Sequence, residues 1–332
     1  MSNPYNQLTM GYSNNSNISG MGHNSQNFIG KRLIGYAESH DEERLMYNNI
    51  QYGASDDDYD ITNLNTALER MSALGAITLT IPGPKMIWHF GELGMENSIF
   101  TCNDGSINTN NDSSSGDCKL DTKPQPQWLN NWLDNPIRNE IYNSWARLIE
   151  LKINEDVFEG NYEINSGSLT PKIYIWDDTI SSNDLKNIVI LANFNLTVEN
   201  IIPNFPYPGT WYDLMDESGG STISILNTTE PISLSPGEFK LFGNQLPSTL
   251  NSNYFITEED FQIYPNPAMN YFKLTNKSDE ILIYDLFGKV VKKYRGNFSN
   301  EKQFDISKLK SGVYIISISN NNSIKNHKLI KL

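Results

Sequence analysis

The chain has 332 residues, of which 38% are hydrophobic, 11% aromatic and 19% charged. This length exceeds one typical domain, and the apolar content is sufficient for packed cores, so general disorder is excluded. The net charge of −14 is uneven, since residues 253–332 hold 12 Lys+Arg and 8 Asp+Glu (+4), which leaves 13 against 31 (−18) for the remainder. An acidic body disfavours nucleic acid and anionic membranes as partners. No apolar run reaches the roughly 18 residues of a membrane-spanning helix, so no transmembrane segment is expected.

The N-terminal segment, residues 1–30, is polar and rich in Asn and Ser. It lacks the charged and then apolar pattern of a secretory signal peptide. We interpret this segment as a loop that leads into the first strand. Because other features below indicate export, we expect the natural N-terminus to lie further upstream.

Strand and helix patterns alternate along residues 31–152. Two apolar runs, 31–41 and 84–94, end in polar residues and are typical of buried strands. The spacing of apolar residues predicts one helix over 63–80 and another over 136–152. Strand, helix, strand, helix is the repeating unit of a parallel α/β sheet or barrel.

Beyond residue 155 the apolar residues alternate with a period of two, and Gly, Pro, Asn and Asp separate the runs. This pattern is typical of an antiparallel sandwich. The predicted strands of the middle region are 162–164, 173–176, 187–193, 210–214, 221–226 and 238–242. Those of a second β unit are 272–274, 281–284, 290–294 and 313–318. We therefore predict domains at 1–155, 156–246 and 259–332, with a linker at 247–258.

Cys102 and Cys118 flank a run of Asn, Asp, Ser and Gly that is unsuited to a core element. Two cysteines that close a short polar loop predict a disulfide, worth roughly 3 kcal/mol when unstrained. A pair of free thiols is the alternative. A disulfide would indicate an oxidising compartment.

The segment ESHDEERLMY, residues 38–47, resembles the seventh barrel strand of glycoside hydrolase family 13, the α-amylase family. By this resemblance Asp41 is the third catalytic carboxylate, which stabilises the oxocarbenium-like transition state, and His40 binds the sugar by hydrogen bonding. A fixed carboxylate beside a positively charged sugar ring meets that chemical need. Glu38 is either a supporting partner of His40 or a surface residue.

The downstream segment IPGPKMIWHFGELGME, residues 81–96, resembles the eighth strand of the same family, with Glu92 as a substrate-binding carboxylate at the barrel rim. The β region at 156–246 resembles the domain that follows the barrel. The resemblance thus implies a fold class of incomplete C-terminal (β/α)8 barrel, then an antiparallel β-sandwich. An α-glucan is the substrate that it implies.

No cofactor is evident from the sequence, and no metal site is predicted. Calcium is compatible with the family resemblance, and the acidic run 56–58 with Asp60 invites that interpretation. However, Ile61 occupies the position where an EF-type loop requires Gly. We therefore interpret this run as a solvated acidic loop.

Three blocks near the C-terminus combine apolar strand-like runs with Pro and Gly turns. They are FQIYPNPAMNYFKL, ILIYDLFGKVVKKY and FDISKLKSGVYIISI, at residues 261–274, 281–294 and 304–318. Together they resemble the type IX secretion sorting domain of Bacteroidetes, a small Ig-like β-sandwich that the export machinery recognises. The resemblance implies a protein that is secreted or held at the cell surface, with that machinery as a partner.

A retaining α-glycosidase needs a nucleophile and an acid roughly 5 Å apart. In the resembled family these carboxylates lie on earlier strands, which residues 1–30 do not supply. We therefore expect α-glucan hydrolysis by lineage and no activity for this chain alone. One alternative is a non-catalytic secreted carbohydrate-binding or cell-surface protein, with Trp176 and Trp211 as a sugar platform. Another is a fragment without independent function.

Overall fold

A computed structural model describes residues 2–102, 106–107, 130–251, 263–300, 302–320 and 323–332. The chain forms two compact units, Met1–Ser252 and Asn253–Leu332. None of the described helices is both long and apolar enough to cross a membrane.

The first part of the first unit is mainly helical. Its helices are α1 (Ser2–Thr9), α2 (Leu45–Tyr52), α3 (Leu64–Glu69), α4 (Met71–Leu79) and α5 (Pro136–Asn154). A short helix, α6 (Ser248–Asn251), lies at the end of the same unit. The predicted helix over 136–152 is confirmed as α5, which begins after Asn135, whose side chain accepts two backbone N–H bonds. The predicted helix over 63–80 is confirmed as α3 and α4, which are separated at Arg70.

Arg70 ties α1 to the rest of the unit. Its fully buried guanidinium donates to the carbonyl oxygens of Leu8 at 3.2 Å, Thr9 at 2.9 Å and Phe194 at 2.6 Å. These carbonyls take the place of water around a buried charge, as burial of such a group requires. The N-terminal segment is therefore not only the predicted loop, because α1 packs into the core.

The two strands that the sequence predicted over 31–41 and 84–94 are not formed, and that prediction was wrong. The segments meet in a single parallel bridge between Gly35 and Lys85. Gly35 N–H donates to Pro84 O at 3.0 Å, and Met86 N–H donates to Gly35 O at 2.9 Å. Parallel strands are normally stabilised by neighbours on both sides. Among the described residues no further strand pairs with either segment, so the apolar runs remain irregular.

The second part of the first unit is an antiparallel sandwich. Its strands are β1 (Asn161–Asn165), β2 (Lys172–Trp176), β3 (Asn187–Ala192), β4 (Glu199–Ile201), β5 (Gly209–Asp213), β6 (Thr222–Ile225), β7 (Ile232–Leu234) and β8 (Phe239–Gly243). Six of them form one sheet in the order β1-β2-β3-β8-β5-β6, and β4 pairs with β7 in a second sheet. All six predicted strands are confirmed. The short strands β4 and β7 were not predicted.

Helices and sandwich share one core in the first unit. One face of the large sheet contributes Ile175, Ile188 and Leu241 to a cluster that also contains Leu74 of α4 and Leu148 of α5. The other face packs against the β4–β7 sheet around Trp211, which is fully buried. The predicted boundary at residue 155 therefore marks a change from helix to strand, with a hydrophobic core that continues across it.

The second unit is an all-β domain. Its strands are β9 (Ile263–Tyr264), β10 (Tyr271–Leu274), β11 (Ser278–Tyr284), β12 (Val290–Phe298), β13 (Phe304–Asp305), β14 (Gly312–Asn320) and β15 (Ser323–Lys331). They form a three-stranded sheet, β13-β10-β9, and a four-stranded sheet, β12-β11-β14-β15. Phe272, Phe304 and Ile316 are fully buried in the core of this unit. The four strands predicted here are confirmed.

Candidate functional site

His40 and Asp41 lie on the exposed loop that precedes α2. His40 Nε2 is 3.2 Å from Asp41 Oδ1, and each side chain is 74% exposed. The backbone N–H of Asp41 donates to Ser39 Oγ at 3.3 Å, and Ser39 Oγ in turn donates to Glu42. The loop thus holds an imidazole and a carboxylate side by side, open to solvent and able to bind hydroxyl groups.

A buried ion pair holds this loop in place. Glu38 Oε1 accepts from Arg44 Nη1 at 3.0 Å, and Glu38 Oε2 accepts from the backbone N–H of Leu45 at 3.1 Å. The Arg44 guanidinium also donates to His89 O at 2.9 Å and lies 3.6 Å from the ring centre of Trp88. The two expectations for Glu38, a partner of His40 or a surface residue, were therefore wrong, because the carboxylate is buried against Arg44.

The electrostatics of this pair follow from its burial. Burial raises the pKa of Glu38, and the positive charge of Arg44 with its hydrogen bond lowers that pKa in return. Burial lowers the pKa of Arg44, while the negative charge of Glu38 raises it. The guanidinium keeps its charge at physiological pH in any case. We therefore treat the pair as a carboxylate and a guanidinium that compensate each other.

A second carboxylate connects the loop to the segment after residue 94. Glu43 Oε1 accepts from the backbone N–H of Ile99 at 2.8 Å, and Glu43 Oε2 accepts from Ser98 Oγ at 2.6 Å. Glu38 and Glu43 thus fix the loop from both ends of the ESHDEER segment. Within the described ranges, the side chains of the exposed pair between them, His40 and Asp41, make no such bonds to the core. This contrast separates the anchoring acids from the acid that is free to bind a ligand.

Glu92 lies in a 3-10 turn, Gly91–Leu93, close enough to Glu38 and Arg44 to affect their pKa values. Its Oε2 atom is buried and has no hydrogen-bond partner among the described residues. The same holds for Nε2 of His89, whose pKa is lowered by burial and by Arg44. Such buried polar atoms are rare in native proteins and need an explanation.

The remaining candidates from the sequence are two tryptophans and a pair of cysteines. Trp211 is fully buried against Phe205 and Tyr207, which excludes it from the sugar platform of the alternative function and agrees with the core position usual for a strand tryptophan. Trp176 is partly exposed and stacks on Tyr174. Cys118 lies outside the described residues, so the predicted Cys102–Cys118 disulfide stays a prediction.

The acidic loop at 56–60 uses its carboxylates to close its own turns. Asp56 Oδ1 accepts from the N–H groups of Asp58 and Tyr59, and Asp60 Oδ1 accepts from Thr62. Within the described ranges, no group of three or more His, Cys, Asp or Glu side chains is arranged to hold a metal ion. These residues do not fit a calcium site, and we derive no step through calcium.

Part of the chain has a fold similar to that of a solved structure. AmyP, in a variant form in complex with maltotriose, superposes with a TM-score of 0.51 at 16% identity, over 74% of this chain and 49% of the AmyP chain. A pullulanase from Bacillus acidopullulyticus gives 0.48 at 16% identity, over 71% and 27% of the two chains. An Anoxybacillus α-amylase gives 0.47 at 8% identity, over 73% and 45%. The chain thus spans about half or less of each structure, and the likeness to AmyP defines a mixed, amylase-like fold.

The family of the second unit follows from its sequence. Residues 262–332 match the family described as secretion system C-terminal sorting domain. The predicted sorting domain is thereby confirmed, and this part of the chain belongs to that family. No curated protein matches the sequence significantly.

Proposed function

We propose that the chain is the C-terminal part of a secreted α-amylase-family glycoside hydrolase, and that Asp41 and His40 are its contribution to the sugar site. The observation that carries this proposal is the exposed His40–Asp41 pair on a loop fixed by the buried Glu38–Arg44 pair. A binding site needs a rigid support behind an accessible side chain. The ESHDEER segment provides both within seven residues.

The chemistry of the pair suits a neutral sugar. A carboxylate accepts hydrogen bonds from two neighbouring hydroxyl groups, and imidazole adds a donor or an acceptor. The same carboxylate stabilises positive charge that develops on a sugar ring during cleavage. The likeness to AmyP, which was solved with maltotriose, supports an α-glucan as the ligand.

We further propose that this chain alone does not hydrolyse glucan. The retaining reaction needs a nucleophile and a proton donor in addition to the residue that stabilises the transition state. Two observations on the described residues support a barrel that is completed by further strands: the parallel bridge between Gly35 and Lys85 has no neighbouring strand among them, and Oε2 of Glu92 is buried without a hydrogen-bond partner there. Asp41 is then a positioned carboxylate without its two partners.

The proposal is tested with soluble starch and maltotriose. Release of reducing ends from starch by the purified 332-residue chain should stay at background. Maltotriose binding, followed by calorimetry, should weaken about tenfold or more in His40→Ala and in Asp41→Asn, because each removes hydrogen bonds to the sugar. Asp57→Asn, which changes an exposed acid outside the loop, is the matched control and should bind as wild type. Starch hydrolysis by the chain, or unchanged binding in both loop variants, would contradict the proposal.

The second unit indicates the cellular location of the protein. A sorting domain directs the chain to a secretion system, so the protein is secreted or held at the cell surface. In a host with type IX secretion, residues 1–332 fused to an N-terminal secretory signal peptide should appear outside the cell or on its surface. The same fusion ending at residue 252 should be retained by the cell.

A further inference from the structure

One corner of the large sheet of the first unit is only partly covered. The cluster around the β4–β7 sheet takes residues from β3, β5, β6 and β8, with Tyr174 of β2 packed at its edge, whereas the outward residues of β2 are half-buried and those of β1 are exposed. In the antiparallel register Glu163 is opposite Tyr174, and Asn165 is opposite Lys172, so these four side chains share the outward face. Beside the β4–β7 sheet, these side chains line a cleft of about 130 Å³ together with Pro203 and Asn204. We call it the Tyr174 cleft.

The Tyr174 ring is held rigidly at the wall of this cleft. Trp176 stacks on it with ring centres 4.8 Å apart and an angle of 10°. The Tyr174 hydroxyl donates to Asn187 Oδ1 at 2.6 Å, and Asn187 Nδ2 donates to Tyr207 Oη at 3.1 Å. Burial, with smaller effects of Tyr207 and Asp178, raises the pKa of Tyr174 to about 12, so this hydroxyl stays a donor. A ring fixed before binding loses little conformational entropy when a ligand packs on it.

The polar lining of the cleft is balanced in charge. Glu163 supplies one carboxylate and Lys172 one ammonium group, whose Nζ also donates to Ile202 O at 2.8 Å. Asn165 and Asn204 supply amides that donate and accept. A balanced set of this kind matches a neutral ligand with many hydroxyl groups. A charged ligand would be repelled by the lining group that carries the same sign of charge. The negative charge of the surrounding body adds a further barrier to anions.

The size of the cleft sets the length of the ligand part that enters it. Pockets for whole drug-sized molecules are typically 300–1,000 Å³. A cleft of about 130 Å³ has room for about one ring of a longer chain. The C–H face of a pyranose packs against an aromatic ring, while its hydroxyl groups bond to acids and amides at the edge.

From these observations we propose that the Tyr174 cleft binds one sugar unit of a soluble, neutral oligosaccharide. The cleft belongs to the sandwich and uses none of the residues of the His40–Asp41 loop. It is a non-catalytic binding site, and it does not depend on the proposed hydrolase lineage. Such a site would hold a glucan on the protein even where no cleavage takes place.

Calorimetric titration of the full chain with maltoheptaose, and separately with cellohexaose, tests this proposal. Binding of either sugar is expected, and the stronger one identifies the linkage. Tyr174→Ala should weaken binding about tenfold or more, because the stacking wall is lost, and Tyr174→Phe should retain most of it. Glu163→Ala should weaken binding several-fold through lost hydrogen bonds. Tyr142→Ala, at an exposed aromatic on α5, is the matched control and should leave binding unchanged.

The outcomes separate this site from the His40–Asp41 loop. Loss of binding in Tyr174→Ala supports the cleft whether or not Asp41→Asn also weakens binding, because the two sites share no residue. Loss in Asp41→Asn with full binding in Tyr174→Ala overturns the cleft and leaves the proposed function standing. Absence of binding to both sugars also overturns it. Should Tyr174→Ala fail to fold by circular dichroism, the exposed Glu163→Ala variant decides, and wild-type affinity there refutes the proposal.

Discussion

Replacement of Arg44 by Met removes the charge that compensates Glu38 beneath the candidate site. Methionine fills much of the same space, so the variant tests the charge more than the packing. Arg44 is 1% exposed and Glu38 8% exposed, and the two side chains are 3.0 Å apart. The variant therefore leaves a buried carboxylate with one remaining donor, the N–H of Leu45.

The magnitude follows from these contacts. Removal of one partner from a buried ion pair costs about 3–5 kcal/mol. Loss of the guanidinium from the face of Trp88 adds about 0.5–2 kcal/mol. The two contributions overlap because both arise from the same desolvated group, and we expect a total loss of about 4 kcal/mol in the free energy of unfolding. A domain with a stability of about 5–15 kcal/mol remains folded after such a loss, but its margin is small.

The pH dependence gives a second check. Without Arg44, the pKa of Glu38 rises further above its ordinary value, since burial and the charge of Glu92 are then opposed only by the hydrogen bond from Leu45 N–H. A carboxyl group with a higher pKa in the folded chain binds more protons when folded. The buried, ionised carboxylate therefore destabilises the folded state fully at pH values above its folded pKa. This destabilisation decreases as the pH falls toward the unfolded pKa. The stability difference between wild type and Arg44→Met should be largest near neutral pH and should shrink on acidification.

Urea denaturation followed by tryptophan fluorescence measures this effect for one unit alone. All six tryptophans precede residue 252, so the signal reports the first unit. Lys186→Met is the control, because its ammonium lies 3.8 Å from Asp178, which is 80% exposed, and it should cost less than about 1 kcal/mol. A loss below about 1 kcal/mol in Arg44→Met, or a difference from wild type that grows on acidification, would refute the reasoning.

Two further predictions concern packing in each unit. Gly75→Ala should destabilise the first unit by about 1–3 kcal/mol despite the helix propensity of Ala, because the new Cβ would lie 2.3 Å from Trp145 Nε1. Gly20→Ala meets nothing within 4 Å, and its urea midpoint should stay close to that of wild type. Phe272→Ala should cost the sorting domain about 3–5 kcal/mol, seen as an earlier circular dichroism transition with an unchanged tryptophan transition.

Local patterns were sufficient for much of the fold. The alternation of apolar residues located β1 and β2, and the apolar spacing located α5. These signals arise within one element and depend on its own periodicity. The three C-terminal blocks identified the sorting domain by their resemblance to that family. The run at 31–41 misled because a short apolar stretch has no period that separates a strand from a buried irregular segment.

Local sequence patterns likewise predicted only part of the candidate site. His40 and Asp41 were found as a motif, but the support beneath them joins Arg44 to Trp88 and His89, more than forty residues further on. Burial of Trp211 likewise depends on Phe205 and on the β4–β7 sheet. No local pattern in the sequence carries such contacts.

The sequence by itself therefore determined the residue types, the helices and strands with clear periods, the sorting domain and the His40–Asp41 motif. The tertiary structure alone decided that Glu38 is an anchor, that Trp211 belongs to the core, and that Tyr174 stands at an open cleft. The physical reason is that burial and charge compensation are properties of the space around a side chain. Segments far apart in the chain create that space only when the whole unit packs.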